Sequence, residues 1–410
     1  MITATATSRR HFFDHRIAPE QIAAAKKTRE LVSKKVGSYS EVRFAGQQPD
    51  KSRPETVKRA RNLASFAVQL QWVTGDAGKA EASFFTINQE AVPINPTELR
   101  MLKSRKKPNA VAARAILRAG GGHKFWSDFP EENQAAIEKL AREIYEMLFA
   151  PPLKTPIKTL DLPVAGRAYS AQSLPLIFDL VNLANAAETD GTELADDTDG
   201  SQTTAYLKEV RRITWRICGN HASSLGLHPA VYVYSATGRH QPTSLLAVAA
   251  LMMDFEKHDY FSEFTKNRKQ FEQFLIKHKS FTNQVVRKIG SALKGYPHLF
   301  KMYSLVLERI DNGDSEEKTI ELLQADKGFS YLKPDEMPEP AKGGDFSSET
   351  KSATFLREAL QGAITCQICG GLMHPNSTSF DHKTRKAEGG LGTMDNAQLA
   401  HFFCNTTYKN

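Results

Sequence analysis

Cysteine is scarce. Four occur in 410 residues, three of them near the C-terminus and Cys218 alone in a helical stretch. Without a paired framework a disulfide-stapled secreted scaffold is excluded, and a reducing cytosol is the expected compartment. Long apolar runs are also missing. The strongest, residues 245–253, is far too short to cross a bilayer, so no membrane partner is expected. Arg9, Arg10 and His11 have no apolar core behind them, which argues against a signal peptide. Acidic excess is absent: Lys and Arg number 54 against 46 Asp and Glu, a net charge of +8. That sign suits a polyanionic partner without proving one.

What is present reads as mostly helix, with length for two or three domains. Residues 20–36 are Ala/Lys-rich and follow Pro19, a residue suited to a first helical turn. Residues 39–45 and 82–88 carry the β-branched and aromatic character of short strands. Asn95-Pro96-Thr97-Glu98 reads as a helix start, and 131–149 as an amphipathic helix with Ile137, Leu140, Ile144 and Leu148 on one face. Gly120-Gly121-Gly122 reads as a helix stop. After Pro151, Pro152 and Pro156, further helices are expected at 174–187, 203–218, 243–258, 261–278, 303–312 and 315–324. The acid-rich stretch 188–200 reads as a solvated loop. Val231–Tyr234 alternates like a short strand. The expected domains are a helical sensor at 1–150, a helical domain at 151–332, a Pro/Gly/Ser-rich linker at 333–348 and a C-terminal module at 349–410, entered by a helix over 351–362.

Basic runs at Lys103/Arg105/Lys106/Lys107, Arg211/Arg212 and Lys266/Arg268/Lys269 would together give salt-sensitive affinity for a nucleic acid, although each alone reads as a solvated helix face. Trp72, Trp126 and Trp215 read as core, Cys218 as a small buried apolar residue.

The chemistry concentrates in the tail. Cys366-Gln-Ile-Cys369 and His401-Phe-Phe-Cys404 form two ligand hooks with the spacing of a closed tetrahedral zinc site. A module this small buries too little apolar surface to fold unaided, so a zinc staple has a structural purpose. Between the hooks lie Asp381-His382, Gly389-Gly390 and Asp395-Asn396, and Asn405 follows the last cysteine. Phosphodiester hydrolysis needs an activated water, charge neutralisation on the phosphate and support for the leaving oxygen. A carboxylate suits a hard cation and an imidazole titrates near neutrality, so Asp381 is the candidate metal ligand and His382 the candidate base. Asn405 completes the metal pair through its side-chain oxygen, and Asn396 holds the imidazole or the local backbone. His374, beside Pro375 and Asn376, reads as a solvent-facing loop residue rather than a ligand.

This constellation, from Cys366 to Lys409, resembles the HNH endonuclease family. The resemblance implies a ββα-metal module in which His382 is the general base, Asp381 and Asn405 hold a catalytic Mg²⁺ or Mn²⁺, Asn396 is the middle Asn, and Cys366, Cys369, His401 and Cys404 bind structural Zn²⁺. It departs from the usual pattern in using His401 where a cysteine is common. It also leaves the last helix little more than a turn beyond Asn405, which calls for support from elsewhere in the protein. A second stretch, Phe84-Phe85-Thr-Ile-Asn88 with Pro93-Ile-Asn-Pro-Thr-Glu98, is similar to ParB-like domains of bacterial phage-defence and restriction proteins, as is Arg9-Arg10-His-Phe-Phe-Asp14-His15-Arg16. The implied function is a metal-dependent DNA endonuclease in defence against phage, foreign or modified DNA. Its N-terminal part would sense or regulate, alone or through a partner chain or homo-oligomer. Two other readings stay open: a nucleic-acid-binding regulator with a non-catalytic zinc module, and an RNA-directed nuclease toxin.

Overall fold

The computed structural model describes residues 11–12, 15–16, 19–65, 96–122, 124–152, 162–168, 170, 172–187, 194–334 and 344–409. Packing divides the chain into two units, Met1–Pro93 and Ile94–Asn410. In the first, a two-residue antiparallel pair (β1 His11–Phe12, β2 His15–Arg16) precedes three helices: α1 Pro19–Val36, α2 Tyr39–Gln47 and α3 Pro54–Ala64. The expected strand at 39–45 is a helix. Ser38 explains why: its hydroxyl accepts from the Glu41 amide at 3.3 Å, and the Glu41 carboxylate accepts from the Ser38 amide at 2.6 Å. That reciprocal box nucleates a helix whose residues have strand-like propensity. The candidate strand at 82–88, Trp72 and most of the ParB-like stretch lie outside the described residues.

The second unit is built on helices α4 Pro96–Lys103, α5 Pro108–Leu117, α6 Glu131–Phe149, α7 Ser173–Ala184, α8 Ser201–Cys218, α9 Pro229–Tyr232, α10 Pro242–His258, α11 Phe261–Lys277, α12 Lys279–Ile289, α13 Ala292–Asp311, α14 Glu316–Ala325 and α15 Ser348–Gln361. Proline occupies the first position of α4, α5, α9 and α10, where its missing N–H would have no helical partner anyway. The chain leaves α5 through the glycines, with the Gly120 amide bonded back to the Ala115 carbonyl. One apolar core runs from Met101 to Phe403. α6 packs against both α5 and α8, and the exposed prolines at 151 and 152 follow it. α13 begins eleven residues before its expected start at 303, carrying Pro297 inside it; burial of Leu299, Met302, Tyr303, Val306 and Leu307 outweighs the hydrogen bond that Pro297 removes.

Three further expectations change. The alternation at 231–234 is not a strand. Pro229–Tyr232 is a helical turn, and Tyr234 forms a lone bridge to His240. In the acid-rich loop, Asp197 is buried and accepts from the Gly200 and Thr203 amides and the Thr203 hydroxyl, starting α8. Arg268, expected on a solvated face, is completely buried. Cys218 is buried as expected, and that burial pushes its thiol up to about 12. Trp126 is fully buried too. Among the described residues, no helix is long and apolar enough to cross a membrane.

Two stability predictions come from this core. Phe271 is fully buried among Tyr232, Phe264 and Tyr303 rings, and Phe271→Ala should cost ~3–5 kcal/mol in urea unfolding. Burial pushes His228 down to about 3 and His240 to about 4. Both stay neutral when folded, whereas the unfolded chain protonates them near the ordinary value of about 6.5. Stability should therefore fall as pH drops from about 6.5 toward about 4, by up to ~1.4 kcal/mol per pH unit for each histidine. Urea midpoints at pH 7 and pH 5 check this, and equal midpoints contradict it.

Candidate active site and zinc centre

The tail begins with a knuckle. The Thr365–Leu372 bridge brings the chain back on itself, the Cys366 amide donates to the Gly371 carbonyl at 2.9 Å, and the Gly370 amide donates to the Cys366 carbonyl at 2.8 Å. Gly370 has φ +71°, a conformation that a side chain resists. This turn aims both thiols of the first hook inward. The second hook lies at the end of a hairpin. β3 Thr378–His382 pairs antiparallel with β4 Ala397–His401, with Asp381 opposite Gln398 and His382 opposite Ala397. One wide π-type turn, Cys404–Tyr408, follows. The two strands of the expected ββα module are present, and that turn stands in the place of its helix.

The ligand atoms of Cys366, Cys369, His401 and Cys404 all lie within 4.8 Å of one another. The His401 Nδ1 faces the Cys369 and Cys404 sulfurs at 3.4 and 3.7 Å, and its Nε2 lies 3.1 Å from the Leu372 carbonyl. A carbonyl accepts only, so Nε2 carries the proton and Nδ1 presents its lone pair to the thiols. Burial, with the Arg268 guanidinium, pushes His401 down and keeps it neutral, as a ligand must be. Hydrogen bonds from Cys369 and Cys404 hold the Cys366 thiol far below its usual range, while hydrogen bonding to Cys366 pushes the Cys369 and Cys404 thiols up. Three sulfurs and one nitrogen converging in a buried knot fit a tetrahedral Zn²⁺. The module's own core is small: Cys366, Met373, Ala400 and Cys404, with Ile368 and Leu399 beside them.

The hydrolytic candidates sit on the hairpin. Asp381 is buried, and its Oδ2 accepts from Gln398 Nε2 at 2.6 Å and Lys409 Nζ at 2.7 Å. Burial would raise this carboxyl, but the Lys409 and Gln398 hydrogen bonds outweigh it and hold the group below its ordinary value. Asp381 is thus an ionised, cation-seeking carboxylate, the donor type that a hard divalent ion takes. His382 closes β3 and is half-buried. Strand alternation starts the two side chains on opposite faces, and His382, as the last strand residue, sits at the rim. Lys409 links them, since its ammonium also donates to the His382 carbonyl.

Asn405 donates to the Ser379 hydroxyl at 2.8 Å and the Phe380 carbonyl at 3.1 Å, which fixes the turn against the strand just before Asp381. Asn396 grips the loop between the strands. Its Oδ1 accepts from the Thr384 amide at 2.7 Å, and its Nδ2 donates to the Thr384 and Leu391 carbonyls at 3.1 and 2.8 Å. Its amide therefore holds backbone and not the imidazole. His374 is not solvent-facing. It is buried, and its Nδ1 accepts from the Asn376 amide at 3.0 Å. Two residues that the sequence did not single out matter here: Lys409 and Gln398. Gln398 was findable only from the register of the hairpin; Lys409 was visible as part of the motif but not as the partner of Asp381.

Residues 366–410 match the family model of HNH endonucleases. No match was found among curated proteins or among solved structures. The ParB-like resemblance of the N-terminal part gains no support from any comparison. The C-terminal segment is therefore similar to HNH endonuclease modules and carries a Cys3His cluster that could hold a metal ion.

The zinc assignment predicts that the purified chain carries a single zinc bound by the four ligands. Cys369→Ser should strip most of it and lower the temperature at which the C-terminal segment unfolds. Metal content by plasma emission, read with a thermal melt, decides the matter; full zinc occupancy in the variant would refute it.

Proposed function

We propose that this protein is a metal-dependent endonuclease that hydrolyses phosphodiester bonds in DNA. The carrying observation is Asp381, an ionised carboxylate buried at the end of the strand that His382 closes. Both belong to a hairpin tied by the Cys3His knot and the Asn405 turn. In this reading Asp381 and Asn405 hold a Mg²⁺ or Mn²⁺, which neutralises charge on the phosphate and the leaving 3′ oxygen when bound. His382 takes the proton from the attacking water, so the water oxygen forms the new bond to phosphorus as the 3′ oxygen leaves. The products are a 5′ phosphate and a 3′ hydroxyl. Asn396 keeps the intervening loop in shape, and Cys366, Cys369, His401 and Cys404 act through zinc as structure.

The net charge of +8 suits DNA as the partner. The helical remainder is proposed to restrain or license the cut, in the setting of defence against phage, foreign or modified DNA inside the cell. One observation favours a second reading. Lys409 already satisfies Asp381 Oδ2, as expected of a zinc module that only binds nucleic acid.

Plasmid digestion with and without Mg²⁺ or Mn²⁺ separates the two. His382→Ala should reduce cleavage by about 10²–10⁴-fold while duplex binding and zinc content persist. Cleavage that survives this substitution removes His382 from the mechanism, and absence of cleavage by the parent chain supports the binding-only reading. Structured RNA digested beside duplex DNA tests the substrate.

A further inference from the structure

The zinc knuckle is not held by its own ligands alone. Arg268, on α11, is the largest charged side chain with no solvent exposure in the chain's described residues. Its Nε donates to Glu272 Oε1 at 2.7 Å, one helical turn on. The other end of the guanidinium reaches out of the helix into the C-terminal module. There NH2 donates to the Leu372 carbonyl at 2.9 Å; toward the loop after α8, NH2 also donates to the Gly226 carbonyl at 3.2 Å and NH1 to the Leu225 carbonyl. NH1 also lies 3.2 Å from His401 Nδ1, at the edge of the ligand cluster. Glu272 completes the grip by accepting from the Leu372 amide at 2.6 Å and the Tyr232 hydroxyl at 2.9 Å.

Leu372 is the pivot. Its amide is held by Glu272, and its carbonyl accepts from both Arg268 and His401 Nε2. The carbonyl that sets the tautomer and ring orientation of a zinc ligand is thus positioned by an ion pair belonging to the helical body. The fit leaves no slack: a Cβ on Gly371 would come within 2.5 Å of Arg268 Nε, and one on Gly226 within 3.0 Å of the His401 ring. A buried ion pair is a poor way to gain stability, because desolvation offsets most of its attraction. Its forked geometry instead fixes register and orientation.

We infer that Arg268 and Glu272 are positioning residues of the zinc site: they orient His401 through Leu372, so zinc affinity depends on the docking of the helical body. The inference rests on the zinc assignment above. It makes the C-terminal module incomplete as a metal site without α11, and it gives the helical body a direct hold on the nuclease scaffold.

Zinc affinity of the full-length chain, measured by competition with a chromophoric chelator, tests this alongside the urea midpoint. Arg268→Met should weaken zinc binding by about 10–100-fold, the range typical of lost outer partners of a metal ligand. Arg268→Met strands a buried carboxylate, so the double variant Arg268→Met/Glu272→Leu, which removes both charges, is measured beside it and should also bind zinc more weakly. Ile144→Ala, a cavity variant in the buried face of α6, should lose stability while zinc affinity is retained. Arg268→Lys, which keeps the charge and loses the fork, should fall between. Unchanged zinc affinity in the double variant overturns the inference. So does an equal loss in Ile144→Ala, which would mean that any destabilisation of the body loosens the metal. A parent chain that holds no zinc would sink the zinc assignment itself, a result distinct from zinc-replete variants that bind as tightly as the parent.

Discussion

The C-terminal hairpin has almost no apolar core of its own. Cys366, Met373, Ala400 and Cys404 are its buried apolar residues, and two of those belong to the Cys3His cluster. Two five-residue strands and a single turn cannot offset the chain entropy of ordering with so little burial. Convergence of four ligand atoms within 4.8 Å is therefore the constraint on which the module depends. A metal bound in such a site contributes its binding energy to folding, and the hairpin it closes brings Asp381 opposite Gln398.

The same shortage of core explains why the module is docked rather than tethered. The loop after α8 meets it along a line of hydrogen bonds. Ser224 and Ser377 hydroxyls lie 2.6 Å apart, the Phe403 amide donates to the Ser224 carbonyl at 3.0 Å, and the Thr406 hydroxyl donates to the Ala222 carbonyl at 3.0 Å. Phe403 joins the main core, its ring 5.9 Å from Phe261. The short final turn that follows β4 takes its support from this loop and from α11. That turn is held by contacts from residues some 180 positions earlier. Asn405 lies on that turn and Lys409 directly follows it.

Within the hairpin, electrostatics sorts the adjacent Asp381 and His382 into different environments. Asp381 is buried against Lys409 and Gln398, whose hydrogen bonds keep it ionised. His382 stands at the strand end with a half-buried ring. An anionic seat beside an imidazole at the rim is the division of labour that the proposed phosphodiester hydrolysis asks for.

Local signals in the sequence determined a good deal. The 3.6-residue periodicity of 131–149 gave α6 at its full length, because an amphipathic stripe needs no knowledge of its partner. The two hooks announced the zinc set, because ligand chemistry restricts residue type and spacing. Ser38-x-x-Glu41 was as legible as these, yet strand-like propensity at 39–45 masked it; a reciprocal cap outweighs a propensity of a few tenths of a kcal/mol per residue. Tertiary structure alone decided the rest. Arg268 sits in a run that reads as a solvated face, and its burial depends on Leu372, 104 positions away. His374 is buried because the Gly226 carbonyl takes its amide. Asp381 meets Gln398 and Lys409 only once the hairpin closes. Burial and pairing of charge arise from contacts between distant segments, and no local pattern encodes which segment will arrive.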